Sequence, residues 1–220
     1  MSSGAPSLSA APHPAVPYRI ATTRVVVRAY EVSDAEALDS VMLENHERLS
    51  EWMPWAWDEP QTLDTRRNLL TYFRKRFDAG EDFTMGMFDG NTGAFLGGTG
   101  LHPRDVPDTL EIGYWMAADA VGKGLMQEVA AALTRVALGL GLASRVEIRC
   151  DPANLRSRRV PEALGFELER VFAEPADSPL ALQLTEVWAV DEACLPGTQV
   201  AAYPRPTLAD ASGSKLPWPT

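Results

Sequence analysis

The segment that most constrains the fold is a strand pattern followed at once by a glycine-containing loop and a helix pattern. The strand is "TLEIGYWMA" (109–117), the loop is "VGKGLM" (121–126), and the helix runs over about residues 124–138. The first N–H groups of a helix have no intrahelical partner, and the helix dipole places positive charge there. Because glycine has no Cβ to hold a phosphate away, the segment predicts a phosphate-binding turn. A glycine turn that merely caps the helix stays open as an alternative.

The spacing of these glycines excludes two familiar nucleotide-binding loops. A Walker A loop requires G-x-x-x-x-G-K-[ST], and nothing in the chain fits it. A dinucleotide fingerprint requires G-x-G-x-x-G, but Gln127 stands where the third glycine would be. The loop also follows the fourth predicted strand rather than the first. Both common nucleotide folds therefore fit this chain badly.

The rest of the chain alternates between β-branched strand patterns and helical apolar spacing. The predicted order is β-α-α-β-β-β-α-β-α-β-β, which gives a mixed sheet with helices on its faces, an α/β (α+β) class. The predicted strands cover residues 23–30, 82–89, 93–102, 109–117, 144–150, 166–172 and 182–190, and the predicted helices cover 35–49, 63–79, 124–138 and 155–164.

A second polar group falls at the start of the last predicted helix. Asn154 is the expected N-cap, and Ser157 and Arg158 lie near one side of the first helical turn. The strand before this helix should lie beside the strand before the glycine loop. Two helix mouths would then open at neighbouring strand ends, where α/β sheets bind ligands.

Charge and composition limit the partners. The formal net charge is -10 and the pI is about 4.8, so the protein should repel nucleic acid and anionic lipid and attract protonated amines. No window predicts a membrane span, and the N-terminus does not resemble a signal peptide. Cys150 and Cys194 form no CxxC or Cys/His pattern, which predicts no metal site and a reduced, cytoplasmic location.

Proline-rich composition predicts a tail at each end of one domain. Residues 1–17 are expected to be disordered, residues 18–194 to form the domain, and residues 195–220 to be a Pro-rich C-terminal tail. A loose end is the favoured interpretation of that tail. Trp218 is unusual for a solvated segment, and its docking on the domain or on a partner is the alternative.

Four motifs, in this order, resemble the GNAT superfamily of acyl-CoA-dependent N-acetyltransferases, specifically its RimJ/RimL-type branch. They are "LEIGYWM" (110–116), "GKGLM" (122–126), "NLRSRRV" (154–160) and "LGF" (164–166). The opening "RVVVRAY" and the "EWMPW" segment also resemble that branch. The resemblance covers residues 18–194 and implies a central mixed, mostly antiparallel sheet of about seven strands flanked by about four helices.

The resemblance also implies roles for individual residues. The loop amides would hold the acetyl-CoA pyrophosphate, and the strand at 114–117 would pair its backbone with the pantetheine arm. Asn154 and Ser157 would contact the pantetheine and thioester, and Arg159 is either a contact to the CoA phosphates or an ordinary surface arginine. The implied cofactor-binding residues are Trp115, Met116, Ala117, Gly122, Lys123, Gly124, Leu125, Met126, Asn154, Ser157 and Arg159.

Two positions depart from the family pattern. The family loop usually opens with glutamine or arginine, and here that position is Val121, so a side-chain hydrogen bond is lost while the backbone cradle remains. Many members carry a tyrosine general acid where this chain has Pro161. Proline inside a helix frees the carbonyl four residues earlier, which is that of Ser157, and predicts a kink or a shorter helix.

Candidate catalytic groups are few. Glu111 is the only carboxylate within "LEIGYWM" and is the predicted base, with substrate binding without proton transfer as the alternative. Ser157 is either the donor to the thiolate or a plain helix-turn hydrogen bonder. His46 and His102 are weaker bases because neither has a carboxylate partner at a recognisable spacing.

Three tryptophans within six residues join the first two helices, in "SEWMPWAWDE" (50–59). They either cap the core or form an aromatic, acidic wall for a cationic substrate, and Trp52 and Trp55 are the predicted substrate contacts.

The sequence therefore predicts an enzyme that transfers an acetyl group from acetyl-CoA to a primary amine by direct attack in a ternary complex, without a metal. The acceptor is either the α-amine of a protein or peptide or a small-molecule amine. An idle acyl-CoA-binding module and a transferase that uses another donor, such as succinyl-CoA, stay open as alternatives. The oligomeric state stays open between a monomer and a homodimer.

Overall fold

A single mixed sheet flanked by helices forms the centre of the protein. The computed structural model describes residues 16–104, 106–174 and 180–219. Its strands are β1 (Arg19–Ala21), β2 (Val25–Ala29), β3 (Phe83–Asp89), β4 (Phe95–Pro103), β5 (Thr109–Met116), β6 (Arg145–Cys150), β7 (Glu167–Ala173), β8 (Leu184–Asp191), β9 (Thr207–Ala209) and β10 (Lys215–Leu216). Its α-helices are α1 (Ala35–Glu44), α2 (His46–Ser50), α3 (Leu63–Asp78), α4 (Leu125–Gly139) and α5 (Leu155–Leu164).

The strand order across the sheet is β10-β9-β1-β2-β3-β4-β5-β6-β8-β7. In the described part of the chain, β5 and β6 form the one parallel pair, and every other neighbouring pair is antiparallel. The expectation of a mixed, mostly antiparallel sheet is therefore confirmed. Its strands outnumber the expected seven because β1, β9 and β10 are too short to give a sequence pattern.

Two layers of helices cover the sheet. Helix α4 buries alanine, valine and leucine side chains such as Val129 and Leu133 in the larger core, together with Leu164 of α5. A second core cluster joins Leu38 of α1 and Leu70 of α3 to the opposite part of the sheet. The amphipathic spacing in each helix is what directs these residues inward.

The first predicted helix is interrupted at Asn45. Residues 35–49 were expected to form one helix, but α1 ends at Glu44 and α2 begins at His46. The Asn45 side chain explains the break, because its amide donates to the Val41 carbonyl and its oxygen accepts from the Ala118 N–H. An asparagine that bonds nearby backbone in this way competes with the helical hydrogen-bond pattern.

The C-terminal segment packs on the domain, in contrast to the expected loose end. Strand β9 pairs antiparallel with β1, and β10 pairs with β9. The Trp218 indole donates to the Pro206 carbonyl at 3.0 Å and lies against Gly139 at the end of α4. Apolar burial against α4 and ladder hydrogen bonds hold the segment in place. At the other end, Val16 is already buried, whereas residues 1–15 of the predicted N-terminal tail lie outside the described residues.

Candidate active site

The site begins where β5 and β6 separate. Their parallel pairing runs from Thr109–Arg145 to Glu111–Glu147, although both strands continue beyond it. The alternation of the β4–β5 ladder turns the N–H and C=O groups of Tyr114 and Met116 toward the resulting gap. A backbone edge of this kind can pair with an extended ligand. The predicted neighbourhood of the two strands is confirmed.

The glycine loop lies at the same end of β5. Gly122 and Gly124 have φ values of +81° and +72°, which lie in the left-handed region that favours glycine. Within the residues that the structure describes, no acceptor takes the N–H groups of residues 122–126. A Cβ built on Gly122 would meet nothing within 4 Å, so the cradle is open. The loop thus presents free backbone donors at the start of α4, in a form suited to an anion.

An ion pair supports this loop from the β1–β2 turn. Glu128, in the first turn of α4, accepts hydrogen bonds from the Arg24 backbone and guanidinium at 2.9 and 2.7 Å and from the Thr22 hydroxyl at 2.6 Å. Arg24 also donates to the Lys123 carbonyl at 2.9 Å. The Lys123 side chain itself is exposed. Sequence reasoning missed Arg24, because nothing near it in the chain points to a residue about a hundred positions away.

The mouth of α5 faces the gap from the other side. As predicted, Asn154 is the N-cap and accepts a hydrogen bond from the Ser157 N–H at 3.1 Å. The Ser157 hydroxyl donates to the Tyr114 hydroxyl at 3.2 Å, and the Tyr114 hydroxyl donates to the Ser157 carbonyl at 2.9 Å. That carbonyl is the one that Pro161 leaves without a helical donor. The Tyr114 hydroxyl supplies a donor, and α5 extends through Pro161 to Leu164. The alternative of a shorter helix is therefore wrong. Burial raises the pKa of Tyr114, which keeps its proton at neutral pH.

A cleft of about 900 Å³ is lined by Tyr114 of β5 and by Asn154 and Ser157 at the start of α5, and it extends to residues of α1 and α3; the glycine loop does not line it. Trp52, Trp55 and Trp115 contribute to its wall, and the rings of Trp55 and Trp115 lie 6.0 Å apart. Trp57 turns away, because its indole donates to the Ser50 carbonyl. The predicted pair of Trp52 and Trp55 is therefore brought to the cleft together with Trp115.

Other predicted contact residues are distributed around the cleft rather than inside it. Met116, Leu125 and Met126 are buried in the larger core, and the Ala117 N–H donates to the Leu96 carbonyl at 2.8 Å. These residues can serve a ligand through their remaining backbone groups. Arg159 is exposed on α5.

Arg48 was not considered from the sequence. It lies on α2, and its guanidinium donates to the Met116 carbonyl, at the end of the gap. Helix α2 is thereby fixed to the C-terminal end of β5.

Glu111 lies in the cleft but is held by two arginines. Its carboxylate is 2.7 Å from Arg104 and 3.2 Å from Arg149, and the residue is buried. Arg149 also pairs with Glu147, which is fully buried. Both guanidinium groups approach Oε2 of Glu111, and charge-assisted contacts of this kind fix the orientation of the carboxylate. These ion pairs give Glu111 a structural role, and its role as base stays a prediction.

His102 has the carboxylate partner that sequence spacing did not reveal. Its Nδ1 is 3.0 Å from Asp82 of the turn before β3, and both side chains line the cleft. Burial raises the pKa of Asp82, but hydrogen bonds from His102 and Thr84 outweigh burial, and the pKa lies below its usual value. The two residues stand 20 positions apart and meet only through the β3–β4 pairing.

His46 is different, because its Nε2 is buried without a hydrogen-bond partner among the described residues and it lies outside the cleft.

Cys150 lies at the end of β6 and also lines the cleft. Burial raises the pKa of its thiol to about 12, so the group is a neutral thiol at physiological pH. A neutral, buried thiol is a poor nucleophile.

The described ranges contain neither a metal-binding cluster nor a membrane-spanning helix. No group of three or more His, Cys, Asp or Glu side chains there is arranged to hold a metal ion. No helix there is both long and apolar enough to cross a bilayer.

Sequence and structure comparisons relate the chain to known proteins. The model of the acetyltransferase (GNAT) domain family matches residues 24–167. A protein of Bacillus subtilis (strain 168), provisionally named ribosomal N-acetyltransferase YdaF, is 31% identical over 144 residues, which are 64% of this chain and 77% of the relative.

Two solved structures share the fold. Mycobacterium smegmatis RimJ in complex with CoA-disulfide superposes with a TM-score of 0.71 at 20% identity, covering 86% of this chain and 94% of that one. RimL, a ribosomal alpha-N-protein acetyltransferase in complex with coenzyme A, superposes with a TM-score of 0.70 at 20% identity, covering 80% of this chain and 97% of that one.

Proposed function

Because the chain belongs to the GNAT acetyltransferase family and is an acetyl-CoA-dependent acyltransferase, we propose that it acetylates a primary amine. The observation that carries this proposal is the C-terminal part of β5, where the strand no longer pairs with β6, beside a glycine loop with unpartnered N–H groups. One site thus offers an edge for a pantetheine arm and a cradle for a pyrophosphate.

The acceptor that we propose first is the α-amine of a protein or peptide. Relatives named for ribosomal and α-N-protein acetyltransferase activity support this class. The cleft has a volume of about 900 Å³, its wall is aromatic, and the net charge of -10 attracts a cationic substrate. A small-molecule amine is the second candidate.

The donor would lie across the gap. The free amides of residues 122–126 would bind the pyrophosphate, with Lys123 at the rim. The Tyr114 backbone and the Met116 N–H would pair with the pantetheine arm, and Asn154 and Ser157 would contact its thioester end. The open space above Gly122 supports this assignment, because any larger residue would fill the cradle.

The energetics favour an α-amine. Its pKa is near 8, so deprotonation at pH 7 costs roughly 1 kcal/mol, whereas a lysine side chain near 10.4 costs roughly 4–5 kcal/mol. Only a modest base is needed for the α-amine. The oxyanion of the tetrahedral intermediate would be stabilised by a backbone N–H of the strand at 114–117.

The leaving thiolate needs a weak donor, since a thiol with a pKa near 8.5 departs at a cost of roughly 2 kcal/mol at pH 7. Ser157 is the proposed donor, and its hydrogen bond with Tyr114 connects it to a second protonated hydroxyl. Direct transfer in a ternary complex is favoured over a covalent intermediate, because Cys150 is held as a thiol.

A free-thiol assay with acetyl-CoA, a panel of small amines and a panel of N-terminal peptides tests the proposal. Amine-dependent thiol release, strongest with peptides, is the expected result. Thiol release with small amines alone would identify a small-molecule amine as the acceptor. Thiol release only with succinyl-CoA would identify succinyl-CoA as the acyl donor in place of acetyl-CoA. Tight CoA binding without turnover across the whole panel would overturn the proposal in favour of an idle CoA-binding module.

A further inference from the structure

We propose that His102, oriented by Asp82, is the general base that removes the proton from the acceptor amine. This inference rests on the proposed function and assigns a residue to its chemical step. It starts from the one histidine in the described residues that both lines the cleft and contacts a carboxylate.

The Asp82 contact fixes which nitrogen of His102 is basic. An ionised carboxylate can only accept hydrogen bonds, and the pKa of Asp82 lies below its usual value despite burial. Nδ1, 3.0 Å from the carboxylate, must therefore carry the ring hydrogen. Nε2 is left with its lone pair, and in the described part of the chain no group donates to it. A histidine in this tautomer is ready to accept a proton at Nε2.

Two glycines make room for the ring over the sheet. A Cβ on Gly100 would lie 2.6 Å from His102 Nε2, and a Cβ on Gly113 would lie 3.1 Å from the same atom. Nε2 therefore rests against the β5 backbone at Gly113, one residue from Tyr114, whose backbone faces the gap. His102 and the aromatic wall line the same cleft, so an amine bound there would meet Nε2 directly or through one bridging water.

The charges around His102 separate its role from that of Glu111. On one side of His102, Asp82 precedes β3 and interacts electrostatically with Arg76 of α3. Glu111 faces His102 across the β4–β5 pair, with Arg104 bound to it, and Glu174 acts on Arg104 from the edge of the cleft. Arg104 and Arg149 engage the Glu111 carboxylate, whereas Nε2 of His102 is free.

In the proposed step, the amine nitrogen attacks the thioester carbon, the N–C bond forms, and the amine proton passes to His102 Nε2. The C–S bond then breaks, the thiolate takes a proton from Ser157, and the Ser157 hydroxyl recovers its proton from water. Asp82 stabilises the imidazolium that forms, and His102 returns to its neutral state when it releases the proton to water.

The test compares three variants by kcat and KM across pH, with coenzyme A affinity measured by calorimetry. His102→Gln should lower kcat about 10²–10⁴-fold, keep the CoA affinity and lose the acidic limb of the kcat/KM profile. Glu111→Gln should keep that limb, and His46→Gln, a histidine outside the cleft, should keep both limb and rate. An acidic limb that survives in His102→Gln but disappears in Glu111→Gln would overturn the proposal.

Two more variants test the geometry, in case His102→Gln folds poorly. Asp82→Asn can donate to Nδ1 and force the hydrogen onto Nε2, so kcat should fall with little change in KM. Gly113→Ala pushes the ring and should lower kcat in the same way. Unchanged kcat in both would overturn the proposal. Wild-type protein without amine-dependent thiol release would contradict the proposed function itself and the base with it, whereas wild-type turnover that is insensitive to His102 contradicts the base alone.

Discussion

The Tyr114 hydroxyl donates a hydrogen bond, 2.9 Å long, to the carbonyl of Ser157, the group that Pro161 leaves without a helical donor. Strand β5 and helix α5 are joined at the point where the two halves of the proposed donor site meet. The proline would otherwise leave a helix carbonyl unpaired, and the tyrosine supplies its missing partner.

Removing that hydroxyl should destabilise the protein. Tyr114→Phe is expected to lower the free energy of unfolding by about 1–2 kcal/mol, because the Ser157 carbonyl loses its donor in a partly buried position. Urea denaturation measures this loss. In a Pro161→Ala background the restored backbone N–H replaces the tyrosine, so the loss should be smaller. Equal losses in the two backgrounds would show that the hydroxyl does not serve this carbonyl.

The glycine loop should be intolerant of side chains for a ligand-specific reason. Gly122→Ala and Gly124→Ala impose about 1–2 kcal/mol of left-handed strain and fill the cradle, so coenzyme A affinity should fall at least about tenfold. Calorimetry measures the affinity. Gly141→Ala is the matched control, because Gly141 has φ +64° and open space around it at the far end of α4. A comparable affinity loss in that control would point to general destabilisation.

The ion pairs of Glu111 predict a structural cost for its neutralisation. Glu111→Gln should lower the free energy of unfolding by about 1–3 kcal/mol, because Arg104 and Arg149 lose a shared charged acceptor. Glu169→Gln removes the more exposed partner of Arg145 and should cost less than about 1 kcal/mol. Chemical denaturation measures the free energy of unfolding of both variants. A larger loss of free energy in Glu169→Gln than in Glu111→Gln would contradict the structural role of Glu111.

Acid should weaken the attachment of α4 to the β1–β2 turn. Burial raises the pKa of Glu128, but hydrogen bonds from Thr22 and Arg24 outweigh burial and hold it below the usual glutamate value. The contribution of ionised Glu128 to the free energy of unfolding is therefore complete above the pKa of about 4.3 in the unfolded chain. It is lost as the pH falls through the lower pKa of the folded protein. The free energy of unfolding, followed by urea from neutral pH into this acidic window, should fall less steeply in Glu128→Gln than in wild type.

Direct transfer predicts that Cys150 is chemically silent. Because burial raises the pKa of its thiol to about 12, Cys150→Ala should keep the wild-type kcat. Intact-protein mass spectrometry after mixing with acetyl-CoA, without any amine, should show no acetyl adduct. Cys194→Ser, at the exposed cysteine, controls for nonspecific acetylation. An adduct that forms quickly and depends on Cys150 would establish a covalent intermediate instead.

Features that depend on neighbouring residues were predictable from the sequence. The glycine loop, the Asn154 cap and the bounds of α5 all follow from local backbone preferences, and the structure confirms them. The freed Ser157 carbonyl was also predictable, because proline affects a fixed position four residues earlier.

Features that depend on strand register were not predictable. His102 meets Asp82 only because β3 and β4 pair with Phe83 opposite Leu101, and Glu111 meets Arg149 only across the parallel β5–β6 pair. Strand β9 has three residues and carries no periodic signal, so its pairing with β1 lies beyond any window-based prediction.

The pairing of β9 with β1 bears on how the chain is made. Strand β1 lies near the start of the domain and can pair with β9 only after the end of the domain has been synthesised, so this edge of the sheet forms last on the ribosome. Until then, Ile20 lacks its neighbour Leu208, and the newly made protein carries an incomplete strand edge. A prematurely stopped chain would retain that edge and would present its unpaired N–H and C=O groups to other chains.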